Sequence, residues 1–213
     1  AGNVTTLPIT VDQMIYHASA VVRRVKRALD VCAMPFGSYQ VCADDGVRNA
    51  IRMMKESGCD ALKVEGGVEI LPTIRKILDA GIPVMGHLGL IPQSINKFGT
   101  DAVRAQEKEE SDKLYADALA LAEVGCFAIV LEKIPAKLTQ RVVEAVDIPI
   151  IGIGGGTAAG QVLVIDDMLG KNKDVSPKFL RRYADLTTVM TDAIKRYVND
   201  VKTGDFPNEN ECY

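Results

Sequence analysis

Short apolar segments alternate along the chain with longer segments in which apolar residues recur at helical spacing. The short segments predict β-strands, and the longer ones predict α-helices. Most strand segments are apolar on both faces, which is typical of a parallel sheet covered by helices. Six strands are predicted, over residues 31–34, 61–65, 83–87, 127–132, 148–153 and 161–165.

Cap signals place the helices between these strands. Thr10 and Gln13 have the spacing of a capping box, and apolar residues recur at helical spacing from there to Leu29. The polar segment 89–100 is predicted to be a long loop, which inside a compact domain is often functional. Further helices are predicted over residues 44–57, 72–81, 106–124 and 135–146, and Ser176 and Pro177 are predicted to cap a C-terminal helix over 176–203.

Four polar residues stand at the C-terminal ends of the predicted strands: Lys63, Glu65, His87 and Glu132. Because a buried charge is costly unless it is paired or binds a ligand, these positions are candidates for chemistry. In a (β/α)8 barrel the C-terminal ends of the strands form the active-site face. A doubly wound open sheet also binds ligands at its strand ends, so this pattern leaves both architectures open.

Each candidate also has a structural explanation. Lys63 and Glu65 share one face of their strand and could be a satisfied ion pair. Glu132 could cap the helix that begins near Pro135, and His87 is more simply a hydrogen-bonding structural residue than a proton carrier. The residues alone therefore indicate a site without fixing its reaction.

Composition narrows the class of protein. The chain has 213 residues, of which 47% are hydrophobic and 25% charged, as in ordinary globular domains. A net charge of -3 and the lack of a Lys/Arg run argue against nucleic-acid binding. No apolar stretch is long enough to span a bilayer, and no signal-peptide pattern is seen, so a cytoplasmic protein without membrane contact is predicted. The five scattered cysteines are predicted to be reduced structural thiols.

The strand count favours an incomplete barrel. A (β/α)8 barrel has eight strands and about 250 residues, whereas this sequence predicts six strands and opens almost directly on a helix cap. We therefore predict an α/β protein of the (β/α)8 TIM-barrel type that lacks the first two strands. Residues 1–213 are predicted to form one barrel domain that is incomplete at its N-terminus.

Several ordered motifs resemble the ketopantoate hydroxymethyltransferase family over essentially the whole chain. They are Leu-Pro-Ile-Thr at 7–10, Met-Pro-Phe-Gly-Ser-Tyr at 34–39, Lys-Val-Glu-Gly-Gly at 63–67, Gly-His-Leu-Gly-Leu at 86–90, Pro-Gln-Ser at 92–94, Leu-Glu-Lys-Ile-Pro at 131–135, Gly-Ile-Gly at 152–154, Gly-Gln-Val-Leu-Val at 160–164 and Asp-Met-Leu-Gly at 167–170. A lyase acting on phosphoenolpyruvate-like or isocitrate-like acids shares the barrel and an enolate strategy. The Glu-Lys-Ile-Pro and Gly-His-Leu-Gly-Leu stretches favour the transferase.

The resemblance implies a (β/α)8 barrel that assembles into a homodecamer of two pentameric rings. It implies that Mg²⁺ holds the keto and carboxylate oxygens of 3-methyl-2-oxobutanoate, and that a glutamate removes the C3 proton. The enolate would then attack the one-carbon unit of 5,10-methylenetetrahydrofolate, in the biosynthesis of pantothenate and coenzyme A. By motif, Glu132 corresponds to the base, Lys63 to a substrate-binding lysine and Glu65 to a metal-side carboxylate, while His87 falls near the substrate.

The sequence departs from the family pattern where metal ligands are expected. Ala33 stands where the family has a metal-binding Asp, and a Gly-Asp-Ser segment is expected before residue 1. Ala159 replaces an expected Asp, and Asp166 replaces an expected His. Because Glu65 is left nearly alone as an anionic ligand, Mg²⁺ binding is expected to be weakened. A catalytically impaired homologue that serves as a structural or binding subunit is therefore the alternative.

Overall fold

Six parallel strands, paired in strict chain order, form the sheet in the described part of the chain. The computed structural model describes residues 2–174 and 176–213. The strands are β1 (Val31–Ala33), β2 (Ala61–Lys63), β3 (Val84–Gly89), β4 (Ala128–Glu132), β5 (Ile150–Ile153) and β6 (Gly160–Gln161). A doubly wound sheet reverses its strand order part-way, whereas the strand order here follows the chain. The doubly wound alternative is therefore wrong, and the sheet is a curled half-barrel. The absence of two further strands stays a prediction.

Helices follow the strands as the hydrophobic pattern predicts. Thr10 and Gln13 form the predicted capping box, in which each side chain bonds the other's backbone N–H. Gly58 ends the second helix and Gly125 the fifth, both in the left-handed conformation that suits glycine. The α-helices are α1 (Val11–Val22), α2 (Ala43–Ser57), α3 (Leu71–Asp79), α4 (Ile95–Phe98), α5 (Lys108–Val124), α6 (Ala136–Val143), α7 (Ile165–Met168) and α8 (Leu186–Thr203).

Four predicted segments differ from the structure. The last strand covers Gly160–Gln161 and not 161–165, because Ile165 already begins α7. Helix α1 ends at Val22 and not at Leu29, and a longer helix would have placed Arg23 and Arg27 one turn apart, where like charges repel. The segment 89–100 is not an irregular loop, because it contains a 3₁₀ turn and α4. The C-terminal helix begins at Leu186 and not at 176. The Asp185 side chain accepts a hydrogen bond from the Thr188 N–H there and caps the helix.

The chain divides by its internal contacts after Val162 into two compact units. The first unit holds the whole sheet and helices α1 to α6, and the second, from Leu163 onward, holds α7 and α8. Among the described residues, no helix is both long enough and apolar enough to cross a membrane. One barrel domain over 1–213 stays a prediction.

The hydrophobic core lies between the sheet and the helices of the first unit. Alternate strand side chains, including those of Leu62, Ile129 and Leu131, point to this layer and are fully buried. They pack there with helix residues such as Ile74 and Leu121. The intervening strand residues therefore face the opposite, concave side of the sheet. That side is where the polar strand residues gather.

We expect Leu131→Ala in β4 to lower the free energy of unfolding by about 3 kcal/mol, because it leaves a cavity in a fully buried layer. Leu119 on α5 is 37% exposed, so Leu119→Ala is the matched control and should cost less than about 1 kcal/mol. Urea denaturation of both variants measures the difference. Equal losses would place β4 outside the core.

Candidate active site

A cavity of about 390 Å³ opens on the concave side of the sheet. Three of the predicted site residues line it: Lys63 at the end of β2, His87 in β3 and Glu132 at the end of β4. The rest of its wall is apolar, formed by Leu29, Val31, Met85, Val130, Ile151, Ile153 and Val162. Such a lining, with a few convergent polar groups, is typical of a small-molecule site.

Strand register brings the three polar side chains into contact. Lys63 pairs with Met85, two residues before His87, and Glu132 pairs with Gly89, two residues after it. Lys63 Nζ therefore lies 3.1 Å from His87 Nδ1, and His87 Nε2 lies 3.2 Å from Glu132 Oε2. Nε2 makes no hydrogen bond with the carboxylate at this short distance, so the two groups are close but poorly aligned.

His87 is neutral at physiological pH. Its side chain is almost fully buried, and burial, together with the Lys63 ammonium, lowers the imidazole pKa to about 3. When Lys63 is protonated it has no lone pair and donates to Nδ1, which places the ring proton on Nε2. His87 thereby presents an N–H to Glu132.

Burial shifts the pKa values of Glu132 and Lys63 in opposite directions. Burial raises the pKa of Glu132 to about 7, while the charges of Lys63 and Lys133 oppose that rise. Burial also lowers the pKa of Lys63, against the attraction of Glu65 and Glu132. A carboxyl group that titrates near neutral pH is suited to accept a proton in a reaction.

Glu65 lies beside this group but does not line the cavity. Its Oε1 is 4.0 Å from Lys63 Nζ and 3.9 Å from His87 Nδ1. Its Oε2 accepts a hydrogen bond of 2.9 Å from the Gln93 N–H. The structure therefore brings all four predicted residues into one cluster, with Glu65 held at its buried edge.

Two residues that the sequence did not single out hold Glu65 in place. The Tyr39 hydroxyl accepts the Glu65 backbone N–H at 2.9 Å and lies 2.8 Å from Gln93 Oε1. The Gln93 side chain donates in turn to the Met34 carbonyl at 2.8 Å. Both residues fall within the motifs at 34–39 and 92–94 that resemble the family, and this resemblance is the sequence signal that could have identified them. Their spacing alone gives no sign of the contact.

Lys133 fixes the backbone directly after Glu132. It has a left-handed backbone, with φ of 51°, which is uncommon for a residue other than glycine. Its N–H donates to the Ile153 carbonyl at 2.8 Å, and its own carbonyl accepts the Arg104 N–H at 2.9 Å. These bonds hold the end of β4 in a defined position.

The described residues do not build a magnesium site by themselves. The Ala33 Cα pairs with Lys63 at the end of β1, so position 33 adjoins the cluster, but its methyl group offers no ligand. One oxygen of Glu65 is already bonded to Gln93. No group of three or more His, Cys, Asp and Glu side chains in residues 2–174 and 176–213 is arranged to hold a metal. Mg²⁺ prefers six oxygen ligands in a near-octahedral arrangement.

The other two departures from the family pattern lie elsewhere in the chain. Ala159 directly precedes β6, and its methyl group likewise supplies no ligand. Asp166 lies at the start of α7 in the second unit, where it pairs with Lys171 at 2.7 Å.

Comparison with known proteins assigns the family. A family model described as ketopantoate hydroxymethyltransferase matches residues 1–209. The chain belongs to the ketopantoate hydroxymethyltransferase family. It is similar to proteins named 3-methyl-2-oxobutanoate hydroxymethyltransferase from Bacteroides thetaiotaomicron, at 67% identity, and from Phocaeicola vulgatus, at 64%. Each match covers 100% of this chain and 78% of the relative. The predicted class is therefore confirmed: the chain is a hydroxymethyltransferase-type enzyme.

A solved structure supports the fold. A protein described as a lyase/mutase from Burkholderia cenocepacia J2315 superposes with a TM-score of 0.50 and 15% identity. The match covers 91% of this chain and 68% of that one. At this identity the likeness concerns the α/β architecture alone.

We expect Glu132→Gln to become more stable relative to the wild type as the pH rises from 4.5 to 7. A carboxyl whose pKa is raised in the folded state stabilises the fold below its unfolded pKa, and this stability is lost as the pH rises through the folded pKa of about 7. The shift corresponds to a relative gain of about 3 kcal/mol. Urea denaturation across this range measures it. Glu123→Gln on the exposed side of α5 is the control, and identical pH dependence in both variants would contradict the burial of Glu132.

Proposed function

We propose that this chain transfers a hydroxymethyl group to 3-methyl-2-oxobutanoate to give ketopantoate, a step of pantothenate biosynthesis. The one-carbon unit would come from 5,10-methylenetetrahydrofolate. The family assignment supports the reaction class, and one observation in the site carries the mechanism. A buried carboxyl with a pKa near 7 shares a small cavity with a buried ammonium.

Each polar residue has a distinct role in this proposal. Glu132 removes the C3 proton of the keto acid, and the electron pair of that bond delocalises onto the keto oxygen as an enolate. Lys63 supplies the positive charge that holds the anionic substrate in the cavity. The apolar wall of Met85, Val130 and Ile151 suits the branched hydrocarbon end of the substrate.

His87 positions Glu132, the base, and does not compete with it for the substrate proton. Because its pKa is lowered to about 3, it remains neutral and takes up no proton at physiological pH. Its Nε2–H lies 3.2 Å from Glu132 Oε2 and can orient that oxygen after a small adjustment. The hydrogen on Nε2 also leaves Nδ1 free to accept from Lys63.

Mg²⁺ remains the proposed metal, with Glu65 as its proposed protein carboxylate. The side chains beside this cavity offer few anionic oxygen ligands for Mg²⁺. The family resemblance places one such ligand at position 33. The same deficiency favours a second candidate function, an impaired homologue that binds the keto acid or serves as a structural subunit. A homodecamer remains the proposed assembly in either case.

We expect Glu132→Gln to lower kcat/KM for 3-methyl-2-oxobutanoate by about 10²- to 10⁴-fold, because it removes the base. For the wild type, kcat/KM should rise with pH and level off above about 7, where Glu132 is ionised in the free enzyme. Steady-state assays with methylenetetrahydrofolate check both, and Glu123→Gln should match the wild type. Equal rates for Glu132→Gln and wild type would remove Glu132 from the mechanism. A wild type that binds the keto acid without turnover would favour the impaired homologue.

We expect Ala33→Asp to tighten Mg²⁺ binding by about tenfold or more, because it adds an anionic oxygen ligand beside the cluster. Titration calorimetry with Mg²⁺ and the keto acid measures the affinity without reference to turnover. Ala33→Asn is the matched control, since it adds an oxygen without the charge, and its gain should be smaller. Unchanged affinity in Ala33→Asp would show that position 33 does not face a metal site.

A further inference from the structure

A second cavity, of about 380 Å³, lies beside the active-site cavity at the C-terminal ends of β2 and β3. Residues 66–67, which follow Glu65, and residues 88–89, which follow His87, line it. The Gly66 N–H donates to the His87 carbonyl at 3.2 Å and joins these two segments. Backbone that carries two of the active-site residues therefore forms one wall of the second cavity.

Two acidic side chains at the second cavity, those of Glu69 and Asp117, are already bonded. Glu69 Oε1 accepts the Gly67 N–H at 3.2 Å, and Asp117 Oδ1 accepts the Val68 N–H at 3.2 Å. The Lys113 ammonium pairs with the other oxygen of each, at 3.7 Å from Glu69 Oε2 and 2.5 Å from Asp117 Oδ2. These groups hold the wall together, so they are not available to bind a cation.

A third carboxylate, that of Glu110, holds Arg104 at the cavity. One Glu110 oxygen pairs with a terminal nitrogen of the Arg104 guanidinium, and the other accepts the Ala105 N–H at 2.8 Å. The guanidinium carbon also lies 4.1 Å from the centre of the Phe98 ring. Within residues 2–174 and 176–213, however, the buried Arg104 Nε has no hydrogen-bond partner. A buried donor without a partner costs free energy, and an acceptor on a ligand would remove that cost.

Lys97 supplies a second unbonded donor at the same cavity. It lies in the last turn of α4 and is exposed. It forms no hydrogen bond or ion pair with the part of the chain that the structure describes. The donors still available here therefore belong to two cations, Arg104 and Lys97. A ligand that fits them presents an anionic oxygen, and a flat ring would pack on the Phe98–Arg104 stack.

We propose that the second cavity binds the p-aminobenzoyl-glutamate part of the folate co-substrate, an inference that rests on the proposed function. The glutamate carboxylates bind Lys97 and the Arg104 Nε–H, and the aminobenzoyl ring packs on the Phe98–Arg104 stack. Cavities of roughly 300–1,000 Å³ are usual for small-molecule sites. In methylenetetrahydrofolate the one-carbon unit lies between the aminobenzoyl ring and the pterin. Arg104 places that junction near the end of β4, because its N–H bonds to the carbonyl of Lys133, the residue after Glu132.

Titration calorimetry on the full chain tests this with two ligands, tetrahydrofolate and p-aminobenzoyl-L-glutamate, which lacks the pterin. Arg104→Lys keeps the positive charge beside Glu110 but removes the Nε–H and the planar group. We therefore expect both ligands to bind Arg104→Lys about tenfold more weakly than wild type. Lys97→Met removes an exposed cation, and we expect a loss of about threefold for both ligands.

Arg141→Lys and Lys108→Met are the matched controls. Arg141 stacks on an aromatic ring at 4.0 Å from its centre, as Arg104 does, but it lies outside the second cavity. Lys108 is exposed, as Lys97 is, and it also lies outside the cavity. Both control variants should bind the two ligands as the wild type does.

The outcomes separate this inference from the proposed function. If the wild type binds tetrahydrofolate and both cavity variants bind it as tightly, the inference is wrong and the proposed function stands. A loss for tetrahydrofolate alone, or an equal loss in the control variants, would also overturn the inference. A wild type that binds no tetrahydrofolate would overturn the folate co-substrate and the inference with it. Lys97 makes no bonds within the described fold, so Lys97→Met decides the matter even if Arg104→Lys folds poorly.

Discussion

The candidate site depends on holding an ammonium and a carboxyl group together in a place that water reaches poorly. Lys63 and Glu132 do not contact each other directly, and the neutral ring of His87 stands between them, 3.1 Å from one and 3.2 Å from the other. A bare buried ion pair would favour two full charges and fix both partners. The imidazole between them keeps the groups coupled while leaving Glu132 free to exchange a proton near neutral pH.

This arrangement follows from strand geometry. Side chains alternate along β2, β3 and β4, so one set packs against the helices and the other faces the cavity. The register then places Glu132 beside Gly89 and not beside a larger residue. A side chain at Gly89 would meet the Glu132 carbonyl at 2.2 Å, and its φ of 92° is strained for other residues. Gly89 and Lys133 therefore fix the end of β4 from two sides, and the base is held by backbone as much as by its polar neighbours.

Sequence reasoning found the polar cluster because the alternation of side chains between the two faces of a strand can be recognised within a short segment. The apolar neighbours of Lys63 and Glu132 showed that both strands are buried, and a charge there calls for a partner. The strand pattern alone could not choose between a barrel and a doubly wound sheet, since strand order depends on pairings between distant segments. The prediction of a barrel came from the strand count and the family resemblance. Tyr39 and Gln93 escaped notice for the same reason, because their contact joins residues 54 positions apart. The start of the last helix was mistaken because Ser176 and Pro177 have a cap-like sequence, whereas the bond that forms is from Thr188 to Asp185.

The account rests on Glu132 being a carboxyl group whose proton affinity is raised by burial. Its titration can be followed directly by NMR of protein labelled with ¹³C at the glutamate side-chain carboxyl carbons, with the Glu132 signal assigned by its loss in Glu132→Gln. The account predicts a midpoint near pH 7 for this signal. A midpoint near 4.3, the ordinary value for glutamate, would contradict it.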